Sequence, residues 1–153
     1  MQRRLIWLWL LVWLGLGAPA QAATGRVLKV LPEYLDTKGR NALAPSLYER
    51  DAYQVVLRNH PDRRSAVRLY IEWKAKGQPG QLKLRAELRG SAVGEVPKPL
   101  VLEQMVQPGG WFGHWTPLTV TGDAYVKLGQ VTAWRVTLWD GDQLLSEQRS
   151  FLW

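Results

Sequence analysis

The chain of 153 residues contains no cysteine, and that absence removes several classes of protein at once. A disulfide framework is excluded, as is any thiolate metal site. A bacterial lipoprotein anchor, which needs a cysteine just after its signal segment, is excluded too. Histidine is nearly as scarce: His60 and His114 stand far apart, with no H-E-x-x-H spacing and no EF-hand pattern of acids. The glycine patterns of a P-loop or a dinucleotide fold are missing, so no nucleotide cofactor is expected. Neither a G-x-S-x-G elbow nor an S-x-x-K motif occurs. No run of five like charges appears, which argues against a disordered nucleic-acid arm, and no nucleic-acid partner is expected.

Long apolar runs are confined to the first residues. Arg3 and Arg4 precede the apolar stretch Leu5–Leu16, and Ala20-Gln21-Ala22 supplies a small-x-small cleavage site. The run is shorter than the roughly 20 apolar residues that span a bilayer. Residues 1–22 therefore read as a secretory signal peptide cleaved after Ala22, with an uncleaved anchor as the competing reading. No transmembrane span is expected after cleavage. Residues 23–153 are then expected to form one domain, periplasmic or extracellular, stable on its core alone. Without Arg3 and Arg4, 18 basic residues face 13 acidic ones, a net charge of +5. That balance favours solubility and weak attraction to anionic partners.

The remaining chain reads as short strands. Arg26–Leu31 is a first strand stopped by Pro32. Val67, Leu69, Ile71 and Trp73 alternate with polar residues, and so do Leu82, Leu84, Ala86 and Leu88 across the turn-forming Gly77-Gln78-Pro79-Gly80. That pattern predicts a hairpin with Trp73 opposite Leu84, Ile71 opposite Ala86, and Glu72 against Arg85. Further strands are predicted at 100–106 and 116–121, with a Gly/Pro connection at 91–99 and a stretch at 122–130 that leads to the closing hairpin. The closing residues Val131–Trp153 meet at Asp140-Gly141, a strong hairpin signal. There Leu138 is expected opposite Leu145, Trp139 opposite Leu144, and Thr132 opposite Phe151. One short helix is predicted over 45–58, with Ser46 and Glu49 as a capping box and Leu47, Tyr48, Ala52, Val55 and Val56 on its apolar side. A strand over 53–58 is the alternative, because Val55-Val56 is β-branched. This helix is expected to cover Trp139 and Leu144.

About seven strands and one helix after the first strand predict an antiparallel β-sandwich. The layout resembles an immunoglobulin or fibronectin type III sandwich in strand number and alternation, and Trp73 resembles the buried strand tryptophan of such domains. The inter-sheet cysteines are missing, and Tyr125 lies too far upstream of the Trp134 strand to form a tyrosine corner. The resemblance is to an architecture, which carries no function with it. An outer-membrane barrel is excluded by Glu147 and Arg149, which lie in phase with Phe151 and Trp153 and would face lipid.

Two candidate surfaces follow. Trp111, Phe112, His114 and Trp115, set among glycines at 109–115, form a ligand-binding candidate: a stacking platform for carbohydrate or for an envelope protein. The competing reading is that these rings fold back to plug the open end of the sandwich. Arg58, Arg63, Arg64 and Arg68 form an anion-contact candidate, with a solvated sheet face as the plainer alternative. Asp140 and Asp142 read as turn residues, and no metal site is expected. These features predict a non-catalytic binding or structural module of a bacterial envelope. A small secreted hydrolase assembled from distant residues is the alternative.

Overall fold

The computed structural model of the chain describes residues 23–91, 99–108 and 113–153. Residues 1–22, the expected signal segment, most of the 91–99 connection, and Trp111 and Phe112 lie outside the described residues. Strand β1 (Thr24–Asp36) leads to helix α1 (Leu47–Asn59) and a 3-10 turn (Pro61–Arg63). Strands β2 (Arg64–Lys76), β3 (Leu82–Gly90), β4 (Leu100–Met105) and β5 (His114–Thr121) follow. Helix α2 (Gly122–Leu128) then precedes β6 (Val131–Asp140) and β7 (Gln143–Arg149). Two antiparallel sheets result, ordered β1-β2-β5 and β4-β3-β6-β7, an immunoglobulin-like sandwich at the level of class.

The alternating residues do face one core. Val67, Leu69, Ile71 and Trp73 from one sheet and Leu82, Leu84, Ala86, Leu88, Val136 and Leu138 from the other are all buried in a single cluster. The expected hairpin between β2 and β3, however, does not form. β2 pairs with β1 from Thr24↔Lys76 to Asp36↔Arg64 and with β5 on its other side, while β3 pairs with β4 and β6. The Gly77–Gln81 connection thus crosses from one sheet to the other. A period of two specifies which face is buried, and that face is the same whether two strands lie side by side or face each other across the core. Glu72 accordingly lies opposite Lys29 and Trp115, and Arg85 bonds Glu87 and Glu103 instead.

β1 also continues through Pro32 instead of stopping there. The N–H of Tyr34, two residues on, points away from β2 to Gln54, so the N–H that Pro32 lacks belongs on the open side of an edge strand. Helix α1 closes that edge. The Gln54 side-chain amide accepts from the Tyr34 N–H at 2.8 Å and donates to the Tyr34 carbonyl at 2.9 Å, standing in for a neighbouring strand. This polar latch turns the helix away from its expected orientation. Gln54 and Leu57 are buried, whereas Leu47, Tyr48 and Val55 are exposed. Ser46 occupies the N-cap without a side-chain cap bond, so the expected capping box is absent. The helix packs on β1, not on the Trp139–Leu144 face, where Leu144 remains exposed.

The closing hairpin turns as predicted. Gly141 has φ of 54° and Asp142 does not share a positive φ, the arrangement of a type II′ turn with glycine first. Trp139 lies opposite Leu144 as expected, but a bulge follows, so Leu138 faces Ser146 and the extra residue Leu145 packs against the core. β7 ends at Arg149, and the expected Thr132–Phe151 pair does not form; Phe151 is fully exposed.

Candidate functional site

Consecutive strand residues point to opposite faces, and this alternation separates two of the four aromatic candidates. His114, opposite Trp73, turns inward at one end of the sandwich, half-buried and tilted on the Trp73 ring at 5.4 Å. Its Nε2 is buried without a partner among the described residues. Trp115 turns outward and remains 38% exposed. It stacks on Tyr70 of β2, with ring centroids 4.7 Å apart and planes at 26°. Arg68 completes the row, its guanidinium carbon 5.6 Å from the Tyr70 centroid. Pro117 lies directly opposite Tyr70 and adds a flat, apolar neighbour. The outer face of the three-stranded sheet therefore carries a cation–aromatic–aromatic row. Tyr70 is the member that sequence reasoning missed; its outward position on β2 was legible, but its neighbour across the sheet was not.

The four arginines do not gather. Arg64 is buried: its guanidinium donates to the carbonyls of Leu57 and Arg58 at the end of α1 and lies over the Tyr34 ring at 4.1 Å. It is a clamp on the helix C-terminus, where a cation complements the helix dipole. Arg68 donates to Glu33 at 3.0 Å, and Glu33 is itself buried and bonded by Asn41. Arg63 is exposed. Arg58 is exposed and lines a groove of about 330 Å³ between α1 and β1, with Glu33, Arg50 and Asp51 also on its walls.

Among the described residues the buried Asp36 is the most strongly perturbed acid. Burial is the largest single influence and opposes ionisation. Hydrogen bonds from the Arg40 backbone, the Tyr53 hydroxyl, the Arg40 guanidinium and the Lys38 backbone together outweigh it, holding the carboxyl well below the usual carboxylate range. The same bond to Asp36 pushes the Tyr53 phenol up. With every lone-pair direction engaged, Asp36 is a structural latch between β1, the following loop and α1. Because its folded pKa is depressed, its stabilisation is present above its ordinary pKa of about 4 and is lost as pH falls through that value toward the folded one. Asp36→Asn should lower the unfolding midpoint at pH 7 and flatten the fall in midpoint between about pH 5 and pH 3. Thermal unfolding followed across that range checks both effects; an unchanged acid slope would contradict the latch.

The opposite sheet presents a different surface. Glu103, Arg85, Glu87, Arg135 and Glu147 form an alternating ladder across all four strands, with Glu87 held at 3.0 Å by Arg85 and 2.8 Å by Arg135. Trp153 lies over this ladder's end, with Arg89 at 4.2 Å and Arg135 at 5.0 Å from its ring centroid. These charges pair with one another from strand to strand. Among the described residues no group of three or more His, Cys, Asp or Glu gathers to hold a metal ion, and no helix is long and apolar enough to cross a membrane. No protein-family model matches the chain, and no curated protein matches it.

Proposed function

We propose that this chain is an exported, non-catalytic binding module of a bacterial cell envelope, and that it contacts carbohydrate through the outer face of its three-stranded sheet. The observation that carries the reading is the stack of the exposed Trp115 on the half-buried Tyr70. A flat ring face suits the C–H-rich face of a pyranose, and aromatic rings bind with little loss of side-chain entropy. Arg68 and Glu72 lie beside the stack and offer charged groups for hydroxyls at its margin. Export rests on the signal-like residues 1–22, and a cysteine-free domain suits a periplasm or exterior in bacteria.

Cosedimentation with insoluble peptidoglycan sacculi, competed by soluble amino-sugar oligomers, tests the proposal. Trp115→Ala should reduce binding at least about tenfold, equivalent to ~1.4 kcal/mol. Its unfolding midpoint should move by only a few degrees, because the ring is partly exposed. Absence of binding by the unaltered protein, or loss of binding only alongside loss of folding, would count against the platform.

A further inference from the structure

Four strands lie at sheet edges, and three of them are guarded. β1 is closed by Gln54 along its second half and lies against β7 along its first, where the Val27 N–H donates to the Ser146 hydroxyl at 3.0 Å. The same contact shields β7. β5 carries Pro117, which interrupts its row of donors. β4 has none of these devices: Leu100–Met105 contains no proline, lysine or bulge, and among the described residues nothing pairs with its outer side.

The ladder defines which groups that edge offers. The Val106 N–H donates to the Leu82 carbonyl at 3.0 Å, so Val106 occupies a hydrogen-bonded position against the start of β3. Antiparallel ladders alternate, hence Gln104, Leu102 and Leu100 also bond β3, and Val101, Glu103 and Met105 direct their N–H and C=O groups outward. Their side chains share the outer face of the sheet, and Val101 and Met105 are 41% and 53% exposed. These two apolar residues stand two positions either side of Glu103.

We propose that β4 pairs antiparallel with β4 of a second copy, about a two-fold axis through Glu103, joining the two four-stranded sheets into one. In that register every outward N–H and C=O of Val101, Glu103 and Met105 finds a partner. Val101 of each copy meets Met105 of the other, so both exposed apolar residues are covered. A pairing centred on Leu102 instead sets Val101 against Glu103 and leaves Met105 without a partner. The central Glu103 carboxylates come opposite each other, an arrangement that costs energy when the charges are bare. Here each already holds Lys83 at 3.5 Å and Arg85 at 3.4 Å, so two carboxylates meet among four cations. The contact is isologous and closes on itself as a dimer.

Sedimentation equilibrium of the purified chain over a wide concentration range tests the proposal. The unaltered protein should dimerise reversibly. Met105→Lys, which places a charge on the edge, and Val101→Pro, which removes an outward donor while sparing the bonds to β3, should each weaken dimerisation at least about tenfold. Leu144→Lys, an exposed apolar position on the far edge of the same sheet, should leave it unchanged. If Val101→Pro fails to fold, Met105→Lys decides, since its side chain is exposed. A chain monomeric at all concentrations, or one whose dimer survives both β4 substitutions, would overturn the proposal, and so would equal weakening by Leu144→Lys.

Discussion

Replacing Trp73 with alanine is expected to destabilise the fold by about 3–5 kcal/mol, the range for removing a buried aromatic ring from a packed core. Trp73 is only 1% exposed and sits on β2, the central strand of its sheet. Its indole N–H donates to the Thr116 hydroxyl at 2.9 Å, and both groups are buried. Truncation therefore loses ring contacts and also strands a buried hydroxyl, which alone costs about 1–3 kcal/mol. His114, tilted on the ring, loses its support as well. Total stabilities of small domains run about 5–15 kcal/mol, and a chain without cysteine has no disulfide to limit the damage. Trp73→Phe keeps much of the ring volume but loses the hydrogen bond, and should fall between the two. Urea unfolding of both variants separates the packing loss from the hydrogen-bond loss. A destabilisation below about 1 kcal/mol for Trp73→Ala would contradict its full burial in the core.

The burial of Trp73 was legible from alternation alone, as was the inward set of β3. Strand neighbours were not, because the same alternation serves a strand beside β2 and a strand facing it. What decides the matter is β1, thirteen residues long, which occupies one flank of β2 throughout. Its length was hidden by Pro32, which breaks an interior strand but is tolerated on the open side of an edge. Helix α1 was found for partly the wrong reason. Its apolar residues suggested an inward face, yet the chain buries Gln54 because that amide can satisfy both backbone groups of Tyr34 at once. The helix α2 has only two turns and no readable period, and it falls in the stretch expected only to lead to the closing hairpin. The bulge beside Leu138 adds a single residue, a change that leaves composition untouched. For the candidate site, the rings at 114 and 115 stood out by type. Their separation onto two faces required knowing that β5 begins at His114, and Tyr70 entered only once β5 lay beside β2.

Gly90→Ala should be the most disruptive addition of a single methyl group at any glycine of known surroundings. Gly90 ends β3 just past a bulge, opposite Val131, where the chain passes under the last turn of α2. A β-carbon there would lie 1.7 Å from the carbonyl oxygen of Leu128 and 2.7 Å from its carbonyl carbon. These are backbone atoms, so no side-chain rotation relieves the overlap. The neighbours resist a shift as well: the Ser91 N–H donates to the Gln130 carbonyl at 2.9 Å, and the Gln130 N–H donates to the Ser91 hydroxyl at 3.2 Å. Relief requires moving the end of α2, and that end carries Leu128, which is buried in the core. Overpacking commonly costs about 1–3 kcal/mol where side chains can yield, so a backbone clash should cost roughly 3 kcal/mol or more. Gly80→Ala provides the control, since its added carbon would meet only the Asp140 carboxylate at an ordinary 3.5 Å. Amide exchange adds a local readout: protection at Leu128 and Gly129 should fall in Gly90→Ala by more than protection on β2. A stability matching that of Gly80→Ala would mean that α2 does not press on β3 as closely as these distances require.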